Sequence, residues 1–531
     1  MQLDSKEDFQ NHTASKDEIA SFLASRVKDD CCTTLKELPS PSLFKDIQKA
    51  TQRVVDAINT KEQITIVGDY DVDGIVSTTI MVEFFKKVNI DVSWIVPNRF
   101  KHGYGLSPKI VEQINTGLVI TVDNGISAIE AARLCKDKGL DLIITDHHTV
   151  GEEIPDCFAI VNPKQSDCNF PYKDICGAQV AWYFCASIKN ALNININLLD
   201  FFDILAIAIV ADVMPMRSIN AAMVKKGLKQ LLLSNRTAIL ALNNHLKKAT
   251  LNEEDIGFSI APLLNSSGRM EDASIAVNFL LSNDSIEVNK ILEHLKFLNT
   301  LRKDEQSTIY KEALLQVDPN DNVIVVVSEN WNEGIIGIAA AKLCEKFKKP
   351  AFVFSINGDT AKGSSRSIND ISLYELLQTV SDTTLGFGGH KGAAGVVVKS
   401  DSLQKFKNAI NQSIETFTNK DIVIRNNHFC LLQTHNVNID LYNILEQYRP
   451  FGLENELPIF KFNSVPIIKH HYLGKEQLHQ KLILQNHIEL LLFNNNDLLC
   501  NLNTISFTAT ISLNEFRGNV SINLIAKEIF I

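Results

Sequence analysis

Four short runs of aliphatic and β-branched residues punctuate the first third of the chain: Ile64 to Val67, Asp91 to Val96, Leu118 to Val122 and Leu142 to Thr145. Helical patterns lie between them, over Ser77 to Lys87 and Ala128 to Lys138. Such alternation predicts an α/β domain with a parallel sheet covered on both faces. Further on, Ser282-Asn283-Asp284 offers helix N-caps, and a helical pattern runs to about Leu315 with Ile291, Leu295, Leu298 and Leu301 at helical spacing. A helix of about 30 residues spans about 45 Å, which suits a connector between domains. Asp318-Pro319 ends it. A smaller α/β unit follows, with strands at Val323 to Val327 and Ala351 to Ser355 and a helix from Gly334 to Phe347. From about Asn419 the pattern changes to short alternating β segments, among them Leu482 to Leu484 and Val520 to Ile525. These predict a small β-barrel, of a type that periodicity alone does not fix.

A length of 531 residues exceeds what one core organises, so the pattern divides into domains. The expected boundaries are a helical N-terminal segment (1–55), an α/β domain (56–284), the connector helix (285–317), a second α/β domain (318–418) and the β-rich domain (419–531). The polar, acidic start lacks the basic-then-apolar order of a secretory signal. The longest apolar run, near Phe201 to Val210, contains Asp203 and is too short to span a bilayer. A cytoplasmic protein with no membrane partner is expected. The ten cysteines are scattered without a C-x-x-C pair, which favours free thiols over a zinc site or disulfide framework. A net charge of −10 argues against coating nucleic acid by bulk charge. It leaves room for a local basic channel and suits a chain that concentrates carboxylates around metal ions.

The candidate chemistry sits where the apolar runs end. Gly68-Asp69-Tyr70-Asp71-Val72-Asp73-Gly74 places three carboxylates within five residues after the first run. Their repulsion is relieved mainly by cations. The bland alternative is an acidic surface turn; a calcium loop of EF-hand type would need a longer spacing ending in Glu. Asp123-Asn124-Gly125 follows the third run, and Asp146-His147-His148 the fourth. The C-terminal ends of parallel strands are where open α/β sheets bind ligands. Asp212 closes the apolar stretch Ile207 to Val213, where a buried carboxylate needs a partner unless it merely caps a helix. Together Asp71, Asp73, Asp123, His147 and Asp212 offer oxygen and nitrogen ligands from separate strand ends. Such a set suits two divalent cations sharing one carboxylate, manganese preferred and magnesium as the alternative. Two such ions support phosphoester hydrolysis.

This ordered series, G-D-Y-D-x-D-G, D-N-G, D-H-H and A-D-V, resembles the DHH phosphoesterases. Gly388-Gly389-His390-Lys391-Gly392-Ala393-Ala394-Gly395 resembles the signature of the DHHA1 domain associated with that family. Pro97-Asn98-Arg99, Gly103-Tyr104-Gly105-Leu106, Asn265-Ser266-Ser267-Gly268-Arg269, Gly363-Ser364-Ser365-Arg366-Ser367 and Pro450-Phe451-Gly452-Leu453-Glu454-Asn455 are similar to the family's single-strand-specific 5′-exonucleases. The last of these opens a segment similar to their oligonucleotide-binding (OB) barrel. The resemblance covers most of the chain from about residue 50.

It implies a parallel-sheet DHH domain, a connector helix, a DHHA1 domain and an OB-like barrel. The activity implied is processive 5′→3′ degradation of single-stranded DNA in recombination and repair. Asp71, Asp73, Asp123, His147 and Asp212 would hold the metals, with Asp123, His147 and His148 at the chemistry. His148 would contact the scissile phosphate. Arg99, Ser364 and Arg366 would take the 5′-terminal phosphate, and Arg269 and His390 the backbone near the cut. Val67 stands where some members place an extra histidine ligand, so Asp69 or water would complete that shell. Tyr104 and Phe387 are packed aromatics or base-stacking platforms. Lys362, Lys391, Lys469 and Lys475 are candidate contributors of positive charge along the strand's path. The implied partners are a helicase and a single-strand-binding protein, and a monomer is the default. Two rivals remain: a hydrolase of short oligoribonucleotides or cyclic dinucleotides, which the β-rich tail disfavours, and a non-catalytic scaffold, which the complete ligand set disfavours.

Overall fold

The structure, a computed structural model, describes residues 9–417 except 29, 31, 369 and 370, and residues 428–530 except 475–478, 494, 496–498, 500, 501, 517 and 518. The chain forms two compact units, one of residues 40–212 and 230–423, the other of 1–39, 213–229 and 424–531.

In the first unit, β1 (Ile64–Val67), β2 (Ser93–Ile95), β3 (Leu118–Val122), β4 (Asp141–Thr145) and β5 (Ala159–Val161) make an all-parallel sheet in the order β2-β1-β3-β4-β5. β1 and β3 are buried along their whole length. This is why they read as unbroken apolar runs rather than alternating ones. The chain steps outward from β1 to β2 and returns past β1 to β3. The crevice at the C-terminal ends of β1 and β3 is therefore the topological switch point.

Helix α1 (Val72–Lys87) begins immediately after β1, and α2 (Gly177–Ala191), α3 (Phe202–Ala211) and α4 (Ala261–Met270) follow β5. The connector is α5 (Ser285–Leu314), capped by the Asp284 side chain on the Ile286 N–H. Its buried stripe differs from the expected one at two positions, each displaced by one residue. Leu292, Leu295, Leu298 and Arg302 point inward, whereas Leu301 is exposed and Ile291 only half-buried. Tertiary packing overrides the apolar count there, and an arginine takes the inward position.

Beyond α5, β6 (Ile324–Ser328), α6 (Ile336–Phe347), β7 (Ala351–Asn357), β8 (Thr360–Arg366), β9 (Gly386–Gly389) and β10 (Ala393–Lys399) build the second α/β layer. The sheet order is β6-β7-β8-β10-β9, parallel only between β6 and β7.

The second unit is a barrel of β12 (Phe460–Leu473), β13 (His479–Leu484), β14 (Glu489–Leu492), β15 (Thr504–Phe516) and β16 (Asn519–Phe530), flanked by the short β11 (Cys430–Leu431). β15 pairs back onto β12 and closes the ring, which removes open edges. Several strands are longer than the short segments expected, because each curves around the barrel. The described residues before 40 pack here: Thr13 bridges Leu431, and Phe9 stacks on Phe22 at 4.4 Å while both meet Phe429 edge-on at 5.2 Å. Among the described residues no helix is long and apolar enough to cross a membrane. The eight described cysteines are free thiols.

Candidate metal centre and anion cradle

The acidic motif after β1 is a helix start rather than a surface turn. Asp71 caps α1, its carboxylate accepting from the Asp73 and Gly74 N–H groups at 3.0 and 3.1 Å. Asp73 lies in the first turn and is buried. Its two oxygens accept from Gly177 N–H at 2.6 Å and Ala178 N–H at 2.8 Å, the N-terminus of α2. That end carries partial positive charge and favours a carboxylate. Gly74 has no room for a side chain: a Cβ would lie 2.6 Å from the Asp69 backbone.

Asp123 follows β3 in the left-handed region, φ 63°, a conformation that Asp tolerates better than most residues. Gly177 lets it sit there, since a Cβ on Gly177 would lie 2.4 Å from Asp123 Oδ1. The neighbouring Asn124 ties three segments together. Its Nδ2 donates to the carbonyls of Val67, Gly68 and Val122, and its Oδ1 accepts from Leu106 N–H.

Three carboxylates converge on His147. Its Nε2 lies 3.2 Å from Asp123 Oδ1, 3.6 Å from Asp212 Oδ2 and 3.7 Å from Asp73 Oδ2. Bonds of about 2.0–2.2 Å to one central ion would leave neighbouring ligand atoms about 3–3.6 Å apart. Asp69, Asp71 and Asp123 form a second group with ligand atoms within 4.8 Å of one another. Asp123 belongs to a group on either side, and Asp69 stands in the second. Asp212 reaches the cluster from the C-cap of α3, Asp71 from the N-cap of α1 and Asp73 from its first turn, so three of the five predicted ligands come from helix ends rather than strand ends.

The electrostatics test whether cations fit. Burial, then the charge of Asp71, raises Asp69 well above the carboxylate range. Burial and the charges of Asp73, Asp71 and Asp212 do the same to Asp123. Asp212 is pushed up to about 9 by burial and by Asp73 and Asp71. Asp69 Oδ1, Asp123 Oδ1 and Asp212 Oδ2 are buried without a hydrogen-bond partner. Burial holds His147 below the usual imidazole range, which favours its neutral, ligating form. Buried, mutually repelling carboxylates with free lone pairs beside a neutral imidazole are the donor set that divalent cations satisfy.

Asp146 does different work. Its Oδ1 accepts from the His147 and His148 N–H groups and lies 2.7 Å from His148 Nδ1, while Oδ2 accepts from Ile126 N–H. Burial alone would raise this carboxyl, yet the hydrogen bond and charge of His148 hold it at about 2. Burial likewise opposes protonation of His148, and the Asp146 bond outweighs it, raising the imidazole to about 9. His148 is thus half-buried and fixed by Asp146, a bond that favours its protonated form, with the Tyr104 hydroxyl 3.3 Å from its Nε2.

A basic cluster lies in the same unit. The Arg99 guanidinium stacks over the Tyr70 ring at 4.0 Å, and its loop is pinned by Asn98 Nδ2 donating to Glu271 O and Asp272 Oδ2. The first of these acceptors is the Glu271 backbone carbonyl; the Glu271 carboxylate lies 2.9 Å from His294 Nε2. Arg269 closes α4 and donates to Gly334 O at 3.1 Å. Burial lowers it to about 10, assisted by the charges of Arg99, Arg302 and Arg366. Arg366 and Ser364 sit on β8, with Arg366 Nη1 donating to Ser365 O at 2.8 Å. A Cβ on Gly337, at the start of α6, would lie 2.8 Å from Ser364 Oγ and 3.3 Å from Arg366 Nη2. Serine, arginine and a helix N-terminus thus share one corner, the usual makings of a phosphate site. His390, after β9, is held below the usual imidazole range by burial and by the charges of His148 and Lys164.

Asn265 and Gly268 dock α4 on the acidic loop. Asn265 Oδ1 accepts from Val72 N–H at 3.1 Å, and a Cβ on Gly268 would lie 2.2 Å from Tyr70 O. Of the aromatics, Tyr104 is exposed and Phe387 packs against Tyr374 at 5.7 Å. Lys362 is paired with Glu333 at 2.9 Å, and Lys475 lies outside the described residues. Sequence reasoning passed over Gly177, Gly334, Gly337, the orienting role of Asp146, and Arg302. The two glycines of Gly334-Ile335-Ile336-Gly337 at a helix start were the available signal for the anion corner.

Known proteins share this order of domains and this fold. The model of the DHH family N-terminal domain matches residues 63–209, that of the DHHA1 domain residues 320–416, and that of the RecJ OB domain residues 430–528. The single-stranded-DNA-specific exonuclease RecJ of Bacillus subtilis is 32% identical over 92% of this chain, which spans 64% of that protein. The Haemophilus influenzae protein of the same name is 29% identical over 93% of this chain and 92% of its own length. The crystal structure of Thermus thermophilus RecJ in complex with Mn2+ matches with a TM-score of 0.82 at 25% identity, over 98% of this chain and 76% of that one. The same enzyme in complex with Mg2+ matches with a TM-score of 0.79. With three domain models in order and relatives that span its length, this chain belongs to the RecJ group of DHH–DHHA1 phosphoesterases.

Proposed function

We propose that the chain is a metal-dependent exonuclease that degrades single-stranded DNA from its 5′ end to mononucleotides, in recombination and repair. The observation that carries this reading is a largely buried acidic cluster and a half-buried basic cluster within one unit. A phosphodiester strand is the substrate that needs both, with cations at the scissile bond and guanidinium groups on its phosphates.

Asp71, Asp73, Asp123, His147 and Asp212 would hold two divalent cations, manganese preferred and magnesium as the alternative, with Asp69 taking the place left by Val67. Bound there, the cations supply Lewis acidity toward the phosphodiester and an activated water. The chain's own groups do the rest. Asp146 fixes His148 so that its N–H aims at an oxygen of the scissile phosphate. Arg269 and His390 hold the backbone beside the cut. Arg99, Ser364 and Arg366 take the terminal phosphate and thereby set the polarity of digestion. The barrel adds affinity for the strand through stacking and local charge. A helicase and a single-strand-binding protein would supply the substrate to a monomeric enzyme in the cytoplasm.

The test is digestion of a long, internally labelled single strand carrying a 5′ or a 3′ block, in manganese. Mononucleotide release stopped only by the 5′ block supports the reading. Activity confined to dinucleotides would move the chain to the small-substrate hydrolases, and inactivity on both would favour a scaffold.

A further inference from the structure

The inward stripe of α5 runs through Leu292, Leu295 and Leu298, then meets Arg302 and Gln306 before returning to Ile309. Arg302 is only 9% exposed. Its Nε and Nη2 donate to Asn299 Oδ1 at 3.1 and 2.9 Å, and its Nη1 to Gln306 Oε1 at 3.0 Å. Both partners are neutral amides, and among the described residues no carboxylate forms an ion pair with this guanidinium. A buried charge left uncompensated by its own chain is costly unless an anion arrives.

The surroundings say which anion. α5 packs along α4, where the Ser266 hydroxyl lies 3.2 Å from Leu295 O, and α4 ends on Arg269. One turn on from Arg302, Glu305 accepts from Asn332 Nδ2 at 3.2 Å, two residues before the Gly334 carbonyl that Arg269 holds. Arg302 therefore lies at the junction of α4 and the start of α6, and its charge reaches Arg269 together with those of Arg99 and Arg366.

We propose that Arg302 is a positioning residue for the terminal phosphate: a fourth positive charge, kept unneutralised by its amide partners, that sets the preference for strands bearing a 5′-phosphate. This rests on the reading of Arg99, Ser364 and Arg366 as the terminal-phosphate corner. The amide partners matter as much as the arginine. They fix the guanidinium while leaving its charge free to act.

The test compares full-length wild type with Asn299→Asp and Arg302→Met. kcat and KM are measured on strands of one sequence with a 5′-phosphate or a 5′-hydroxyl, over a range of salt. Asn299→Asp keeps the arginine and its hydrogen bonds but neutralises its charge. The expected result is a loss of the 5′-phosphate preference by about 10-fold, carried by KM, with the 5′-hydroxyl strand changed by less than about 3-fold. Arg302→Met should show the same loss and lower the salt slope by about 0.7. If Asn299→Asp keeps the wild-type preference, the inference is overturned, whether or not Arg302→Met folds, because a purely structural arginine tolerates a carboxylate partner. Absence of a 5′-phosphate preference in wild type would instead overturn the reading of the phosphate corner itself, and this inference with it.

Discussion

Two clusters in the same unit present opposite electrostatic problems. Around His147, Asp69, Asp71, Asp73, Asp123 and Asp212 crowd like negative charges, and burial pushes several of them toward protonation. On the other side, the guanidinium groups of Arg99, Arg302 and Arg366 act on Arg269 as like positive charges. Neither cluster neutralises itself, although salt bridges between the two would be the cheap solution for a protein selected only for stability. The charges of Arg99 and Asp71 reach across to Asp69 and Arg269, yet no salt bridge joins the two clusters among the described residues, and in the proposed function that leaves one for cations and the other for phosphates. A single strand threaded past both satisfies each.

The sharpest way to break the acidic side is Asp123→Ala, which removes the carboxylate common to both ligand groups. Nuclease activity should fall by well over the roughly 10–100-fold that loss of an outer-shell partner costs. Manganese should also cease to raise the unfolding temperature, because a ligand that binds only the native state stabilises it in proportion to its occupancy. Calorimetry with and without manganese checks the second outcome independently of the first. A variant that is inactive yet still stabilised to the full extent by manganese would place the shared carboxylate elsewhere.

The basic side breaks more gently. Arg366→Met removes charge-assisted hydrogen bonds worth about 1.5–3 kcal/mol, or roughly 10–150-fold in kcat/KM on a 5′-phosphorylated strand. The manganese-dependent rise in unfolding temperature should be untouched. If both properties fall together, the two clusters are not separable and the comparison fails.

How much of this was legible beforehand follows from where each piece of information resides. β1, β3 and β4 could be read from apolar runs because strands of a covered parallel sheet are buried on both faces. Asp71, Asp123 and His147 were legible because carboxylates and imidazoles directly after such runs have no packing reason to be there. Asp212 was recognised as a residue needing a partner, but a helix rather than a strand delivers it. Gly177 was invisible, because its role depends on Asp123, a residue distant in sequence, approaching its backbone. Arg302 was passed over for a related reason. Leu301 beside it satisfies the apolar stripe, and only the packing of α5 shows that the arginine turns inward.

Gly177→Ala sharpens the comparison through stability rather than chemistry. Glycine to alanine within a helix would ordinarily stabilise by about 0.4–1 kcal/mol. Here the new Cβ would meet Asp123 Oδ1 at 2.4 Å, and overpacking costs about 1–3 kcal/mol. The clash should win. The variant is expected to unfold earlier, with a weaker response to manganese, because Asp123 must shift. Denaturant unfolding monitored with and without manganese decides the sign. Net stabilisation would mean that Asp123 relocates freely, and the fit of the ligand groups would then be looser than the distances imply.

The smallest effect is the one that separates paired from unpaired cations. Lys362 lies on β8 four residues before Arg366, is exposed, and holds Glu333 at 2.9 Å. Its charge is therefore already matched by its own chain, unlike those of Arg302 and Arg366. An exposed ion pair of this kind contributes about 0–1 kcal/mol. Lys362→Ala should shift KM for a 5′-phosphorylated strand by less than about 5-fold, the upper end of that range. The small residual arises because Glu333, once freed, adds a negative charge near the strand's path. Glu333→Gln, which frees the lysine instead, should move KM slightly in the opposite direction. Opposite signs from the two partners of one pair would show that net local charge, rather than the number of lysines nearby, decides how strongly this face draws the strand. Equal losses from both would assign the pair a structural role in holding the start of α6.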